Sequence, residues 1–183
     1  MRNILLFSVS AILFALLGTL LVSCARERES LPVANAPPTT PTLPPDPGEA
    51  GQATVEGVDS DRDGLRDDIQ RYVELTHSDS AKTRAALTQF ARVGQQFLLD
   101  ANNEQASIGN AREEGRARAC LYYVRPSDAT TLESELLSLI VNTDARHRAY
   151  LEADAHLGGQ VFTIYRPEEM KSQCAFDPDR LPN

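Results

Sequence analysis

The chain has 183 residues, of which 18 are basic and 26 are acidic, and its formal net charge is −8. Proteins that bind nucleic acid through charge carry an excess of basic residues, so this balance argues against that class. The length fits one domain of ordinary size with a tail, and two domains would be crowded.

The first element along the chain is an N-terminal signal. Arg2 precedes a largely apolar run of 18 residues, from residue 4 to residue 21. Such a run is typical of a secretory signal, although it just reaches the length of a helix that spans a bilayer. The run ends in Leu21-Val22-Ser23-Cys24, which resembles the lipobox of bacterial lipoproteins. This resemblance implies that residues 1–23 are a cleaved signal peptide and that Cys24 is acylated.

The lipid implied for Cys24 would place the mature chain in the cell envelope. Each buried methylene contributes ~0.8 kcal/mol, so several acyl chains such as palmitate hold a protein to a membrane durably. Ala25 follows the cysteine. In this it resembles Gram-negative lipoproteins that are sorted to the outer membrane, which lack aspartate at this position. We therefore expect a lipid-anchored domain in the periplasm or at the surface. An uncleaved anchor and an ordinary secreted protein are the alternatives.

A proline-rich linker is predicted from residue 24 to residue 57. Seven prolines lie between Leu31 and Gly48, and aromatic residues are rare throughout the segment. This composition is typical of a disordered spacer, which in extended polyproline geometry rises ~3.1 Å per residue. A docking peptide for a proline-recognising partner is the alternative. The folded domain is predicted to span residues 58–183.

A twelve-residue acidic loop opens the predicted domain. Calcium prefers about six to eight oxygen ligands, which a loop can supply from its first, third, fifth, seventh, ninth and twelfth residues. Gly64 stands at the sixth position, where a sharp turn needs backbone angles that glycine adopts without strain. The predicted ligands are the side chains of Asp59, Asp61, Asp63, Asp67 and Gln70 and the backbone carbonyl of Leu65.

The loop resembles the calcium loops of EF-hands, and more closely the one-helix variants of dockerin modules and thrombospondin type 3 repeats. Gln70 departs from the glutamate that is usual at the last position, which implies a weak structural site that Asp68 or water could complete. No helix is predicted before the loop, so a paired calcium sensor is not expected. Residues 64–73 also resemble a group of uncharacterised envelope lipoproteins. A solvated turn whose aspartates cap the next helix is the alternative.

The rest of the sequence predicts an all-α fold, a small bundle of about four to five helices. Apolar residues recur at steps of three and four, with a cap at Ser78 or Ser80 for the second helix and at Ser127 for the fourth. The first three predicted helices cover residues 68–76, 81–99 or 81–101, and 104–124. A fourth starts at residue 128 and reaches a break at residues 142–144, and a further helix then runs to a stop at Gly158-Gly159. Residues 161–165 look strand-like but have no strand to pair with.

Two cysteines remain once Cys24 is set aside. Cys120 and Cys174 would lie in an oxidising compartment, which predicts a disulfide between the third helix and an irregular tail. Two buried free thiols are the alternative. Zinc is less expected because no histidine lies near either cysteine.

No catalytic constellation is evident in the sequence. The three histidines lie far apart, and each is expected to be exposed or hydrogen-bonded: His77, His147 and His156. One basic cluster predicts either ion pairs with acidic neighbours or a docking patch for lipid headgroups or polysaccharide, and it consists of Arg112, Arg116, Arg118 and Arg125.

The sequence therefore predicts a binding or scaffolding module for an unknown envelope protein or polysaccharide, and not an enzyme. The alternative is an envelope hydrolase whose site is assembled only by the fold. A pocket that gathers Arg118 with Tyr122, Tyr123 or His147 would favour the hydrolase, and an exposed apolar patch would favour the binding module.

Overall fold

The computed structural model describes residues 43–183, and this range is helical without a strand. The predicted all-α class is therefore confirmed. The α-helices are α1 (Asp67–Thr76), α2 (Ala81–Leu99), α3 (Glu104–Val124), α4 (Ala129–Ile140), α5 (Asp144–Ala155) and the short α6 (Pro167–Met170). Short 3-10 helices cover Gly48–Gln52, Lys171–Gln173 and Pro178–Arg180. The predicted signal peptide, Cys24 and the linker up to residue 42 lie outside the described residues.

Side-chain caps fix the starts of the two longest helices. Ser80 accepts a hydrogen bond from the Thr83 backbone N–H at the start of α2, and Asn103 caps α3 in the same way. Each cap satisfies a backbone donor that has no partner within its helix. The predicted cap at Ser127 is wrong, because Asp128 is the residue before α4 and makes no side-chain cap. Its carboxylate pairs with Arg125 instead.

Helix α2 is the central element of the bundle. It packs along α3 and also contacts α1, α4 and α5. Its apolar stripe contributes Leu87 and Phe90 to a core that also contains Leu121 of α3 and Leu136 of α4. Burying such a side chain contributes about 1.5–3 kcal/mol, so this face of α2 holds the bundle together.

The C-terminal tail is attached covalently to the bundle. Cys120 of α3 and Cys174 form a disulfide with a Cα–Cα distance of 4.8 Å, which confirms the predicted bond. Residues 161–165 are not in a strand, and Val161 and Ile164 in this segment are 92% and 93% exposed. Across residues 43–183, no helix combines the length and apolar character that crossing a membrane requires.

The folded part of the chain begins earlier than the sequence predicts. Arg71 of α1 donates to the Pro44 carbonyl at 2.6 Å. Arg146 of α5 is fully buried and donates to the carbonyls of Gly51 at 2.6 Å and Val55 at 3.1 Å. Contacts with the bundle thus reach back to residue 44, about fourteen residues before the predicted boundary at residue 58. Backbone carbonyls make these contacts, so the composition of the segment gives no sign of them.

Candidate metal site

The acidic loop, residues 59–70, turns sharply at two left-handed residues. Gly64 has φ +85°, as its place in the calcium-loop pattern predicts, and Arg62 has φ +59°. A Cβ on Gly64 would meet no atom within 4 Å, so the backbone angle and not lack of space favours glycine there.

Backbone amides within the loop hold its carboxylates in place. Asp59 accepts hydrogen bonds from the backbone N–H of Asp63 at 3.2 Å and of Gly64 at 3.0 Å. Asp61 accepts a second contact from the Asp63 N–H at 3.2 Å. Short local bonds of this kind are typical of turns built from aspartate, and they order the side chains before any ligand binds.

The loop is fixed to the helical core on its C-terminal side. The Arg66 backbone N–H donates to the side chain of Gln95 of α2 at 2.9 Å. The Arg66 guanidinium is fully buried and binds both oxygens of Asp68, at 2.9 and 2.8 Å. It also donates to the carbonyls of Leu139 and Ile140 at the end of α4. Asp68 is therefore engaged by Arg66 and does not complete the loop's ligand set.

Three carboxylates of the loop converge. Asp59, Asp61 and Asp67 each place one oxygen within 4.8 Å of the others. Oxygens that share one calcium ion lie 2.3–2.6 Å from it, and hence up to about 5 Å from each other. The spacing of these three oxygens is therefore compatible with a common cation.

Asp67 contains the most informative atom of the site. Its side chain is fully buried, and its Oδ1 accepts a hydrogen bond from the Ser60 backbone N–H at 2.9 Å. Its Oδ2 is buried without any partner. Leaving a buried polar atom unmatched costs about 1–3 kcal/mol, and more for a charged group, so native proteins rarely do so without a ligand or a function.

Gln70 reaches the cluster from α1. Its Nε2 donates to Asp61 Oδ2 at 3.3 Å, while its Oε1 is buried without a partner. This hydrogen bond is the main reason why the pKa of Asp61 lies below its usual value. The side chain at the twelfth position therefore touches the predicted ligands, and its amide oxygen is a second unmatched oxygen in the loop.

Asp63 stands apart from the other aspartates. Its Oδ1 accepts the Leu65 backbone N–H at 2.9 Å, and its Oδ2 accepts from Arg92 Nη2 at 2.7 Å. Leu65, whose carbonyl is the remaining predicted ligand, has its side chain buried in the core. No sequence pattern indicates the contact with Arg92, because this residue lies on α2, 29 positions from Asp63, and belongs to no loop motif.

The histidines lie outside this site. His147 is exposed, and His156 Nε2 lies 3.1 Å from the Ala101 carbonyl. The prediction for His77 is wrong, because the residue is buried and its Nε2 has no partner. Burial, aided by Arg125, lowers the pKa of His77. Within residues 43–183, no histidine or cysteine belongs to a group able to hold a metal ion.

The basic cluster is largely ion-paired. Arg118 bridges Glu114 at 2.7 Å and Glu133 at 2.8 Å, and burial raises the pKa of Glu114. Arg116 pairs with Glu113 at 3.3 Å. Arg125 pairs with Asp128 and Arg112 is exposed. Ion pairing, the first of the two predicted interpretations, therefore describes three of the four arginines.

A small cleft beside α3 partly meets the criterion for a hydrolase. Arg118 and Tyr122 line a cavity of about 200 Å³ together with Tyr165, whereas neither Tyr123 nor His147 lines it. The Tyr122 hydroxyl is hydrogen-bonded to Thr130 at 2.8 Å. The lining residues include no nucleophile beside a base, so the cleft does not form a recognisable catalytic site.

Comparisons with known proteins identify no relative. No protein-family model matches the chain, and neither the curated proteins nor the solved structures include a significant match. The chemistry and geometry of the loop's own residues are therefore the basis for assigning it a role.

Proposed function

We propose that this chain is a lipid-anchored cell-envelope protein whose acidic loop binds calcium and thereby stiffens the start of a helical binding or scaffolding module. The observation that carries the proposal is the buried and unpartnered Oδ2 of Asp67, on a side chain that converges with Asp59 and Asp61. A divalent cation would supply the missing partner and offset the repulsion among the three carboxylates.

The chemistry of the ligand set favours calcium over other metals. Carboxylate, amide and carbonyl oxygens suit hard cations, and the set contains neither sulfur nor imidazole. Magnesium requires near-ideal octahedral geometry and keeps several waters, whereas calcium tolerates irregular loops. The neutral amide of Gln70 weakens the site, so we expect a Kd of roughly 10⁻⁴ to 10⁻³ M, the range of extracellular calcium modules.

The position of the loop supports a structural role for the ion. The segment before the loop packs on α5 through Arg146, and α1 begins at Asp67. The Asp67 backbone N–H donates to the Val58 carbonyl at 2.8 Å across the loop. A cation shared by Asp59, Asp61 and Asp67 would therefore fix the junction between the N-terminal segment and the bundle.

The location in the envelope rests on the resemblance of Leu21-Val22-Ser23-Cys24 to a lipobox. Acylated Cys24 would attach the chain to a membrane, with Ala25 favouring the outer membrane of a Gram-negative host. Exposed Val161 and Ile164 favour a surface for an envelope protein or polysaccharide over an enzyme.

Calorimetry tests the metal site. We would titrate calcium and magnesium into the full chain in mild detergent, and into an Asp59→Asn/Asp61→Asn double variant. An Asp144→Asn/Asp154→Asn variant on α5 makes the same charge change elsewhere. The proposal predicts calcium binding in the wild type and the α5 variant only. Absence of heat at several millimolar calcium in all three proteins would overturn it.

Detergent partitioning tests the anchor. The wild type should carry lipid and enter the detergent phase, whereas Cys24→Ser should carry none. Recovery of the wild type without lipid, in the aqueous phase, would contradict the proposed anchoring.

A further inference from the structure

We propose that Arg92 is a built-in competitor of the cation, which calcium must displace from Asp63 in order to use that residue as a ligand. The inference rests on the proposed calcium site, which the unmatched Oδ2 of buried Asp67 supports independently of Arg92. Its basis is the contact between Arg92 Nη2 and Asp63 Oδ2, at 2.7 Å. Asp63 is the one aspartate of the predicted ligand set that does not join the converging carboxylates.

Both oxygens of Asp63 have partners. Oδ1 accepts the backbone N–H of Leu65, and Oδ2 accepts from Arg92. A cation bound to Oδ2 would lie within about 5 Å of Arg92 Nη2, so the two positive charges would repel each other and compete for that oxygen. The Leu65 N–H is fixed in place because the side chain of Leu65 is fully buried, whereas the Arg92 side chain is 45% exposed and can rotate into water. Arg92 is thus the partner that yields.

The displaced arginine would still face a groove that contains an acidic residue. Arg92 lines a groove of about 610 Å³ between α2 and the tail, and Glu113 of α3 lines the same groove. Glu113 is exposed and contacts Arg116 at 3.3 Å, so its pairing is weak and exchangeable. Release of Arg92 from Asp63 therefore requires no rearrangement of the helices.

We expect calcium affinity to increase modestly when the positive charge of Arg92 is removed. An exposed ion pair contributes little, and a nearby positive charge also repels the cation directly. Removing the charge with Arg92→Gln should tighten calcium binding about fivefold. The contact uses one nitrogen and one oxygen, so Arg92→Lys can preserve it and should remain within about twofold of the wild type.

Arg84 provides the matched control. It lies two turns before Arg92 on α2, about 12 Å along the helix axis. It pairs with Glu74 at 2.9 Å and not with the loop. Because the charge of Arg84 is paired with Glu74 and does not contact the loop, Arg84→Gln should change calcium affinity less than about twofold.

The experiment is calorimetric titration of calcium into the full chain and the three variants, each shown to be folded by circular dichroism. Tighter calcium binding by Arg92→Gln, and by neither of the other two variants, supports the proposed competition. If the wild type binds and Arg92→Gln binds equally or more weakly, the inference is wrong while the calcium site stands. Equal tightening in Arg84→Gln would indicate a general charge effect and would also overturn it. If neither the wild type nor Arg92→Gln binds, the proposed calcium site itself fails.

Discussion

Two neighbouring regions of the molecule bury charge in opposite ways. In the arginine anchor, Arg66 and Arg146 are fully buried, and their side chains donate hydrogen bonds to six backbone or side-chain groups within the protein. Neither guanidinium has a buried nitrogen without a partner. Among the predicted ligands of the acidic loop, by contrast, Asp67 and Gln70 each bury an oxygen without a partner. Folding gives every buried nitrogen of the two arginines a partner, but it leaves two buried oxygens of the loop without one.

This difference distinguishes buried polar groups that are fully hydrogen-bonded within the protein from buried polar groups that still lack a partner. Within residues 43–183, three buried side-chain atoms have no partner, and two of them belong to the acidic loop. If burial alone left atoms unmatched, the arginines would show it too, because they are the largest fully buried side chains. The unmatched oxygens of the loop therefore do not reflect generally poor packing, and the proposed cation would supply their partner.

The largest expected effect comes from breaking the arginine anchor. Arg146→Met keeps much of the side-chain volume but leaves the carbonyls of Gly51 and Val55 without their donor. We expect a loss of about 2–4 kcal/mol in the free energy of unfolding, measured with urea, and easier proteolysis between residues 44 and 57. Arg148→Met on the exposed face of α5 should change stability by less than about 0.5 kcal/mol. Equal effects of the two substitutions would contradict the anchor.

Two glycines allow a finer comparison of the regions. A Cβ on Gly57, at φ +68°, would lie 2.7 Å from Arg146 Nη2 and 2.8 Å from Arg66 Cδ. Gly64 also has positive φ but has open space around it. Gly57→Ala should cost about 2–3 kcal/mol in urea unfolding, and Gly64→Ala only about 1–2 kcal/mol, because the second substitution strains the backbone alone. A larger loss for Gly64→Ala would show that the loop is the more tightly packed region.

The smallest effect concerns the third unmatched atom, Nε2 of His77. Burial lowers the pKa of this histidine in the folded state, so the unfolded chain takes up the proton more readily. Stability should be complete above the unfolded pKa of about 6.5 and decline as the pH falls below it. Urea midpoints between pH 8 and 5.5 should show this decline in the wild type and not in His77→Gln. Because His77 lies outside the loop, the decline should be the same with and without calcium.

Sequence patterns predicted the parts of the molecule that depend on local spacing. The apolar period of α2 predicted its core face, and the aspartate spacing predicted the convergence of Asp59, Asp61 and Asp67. Both follow from residues that are close in sequence. The short helix α6 also has a local signal, which the sequence analysis missed: Pro167 at its start and Glu169 bonded back to the Arg166 amide.

The features that could not be predicted depend on contacts distant in sequence. Arg146 reaches Gly51 across 95 positions and bonds to backbone, which every residue possesses. Arg92 meets Asp63 through the packing of α2 beside the loop. Nothing in the identity of an arginine indicates which of several distant acceptors it will bind, so the contacts that reach residue 44 and the contact between Arg92 and Asp63 emerged only from the fold.

The most direct test of the proposed calcium site is urea unfolding of the wild type and Asp67→Asn, with and without calcium, beside the exposed control Asp154→Asn. Asparagine keeps the acceptor for the Ser60 amide but removes the charge. Calcium at tenfold excess over Kd should stabilise the wild type and Asp154→Asn by about 1.4 kcal/mol. Asp67→Asn should gain nothing from calcium and should equal or exceed the wild type without it, because carboxylate repulsion is relieved. A calcium response that survives in Asp67→Asn, or is absent from the wild type, would contradict the account.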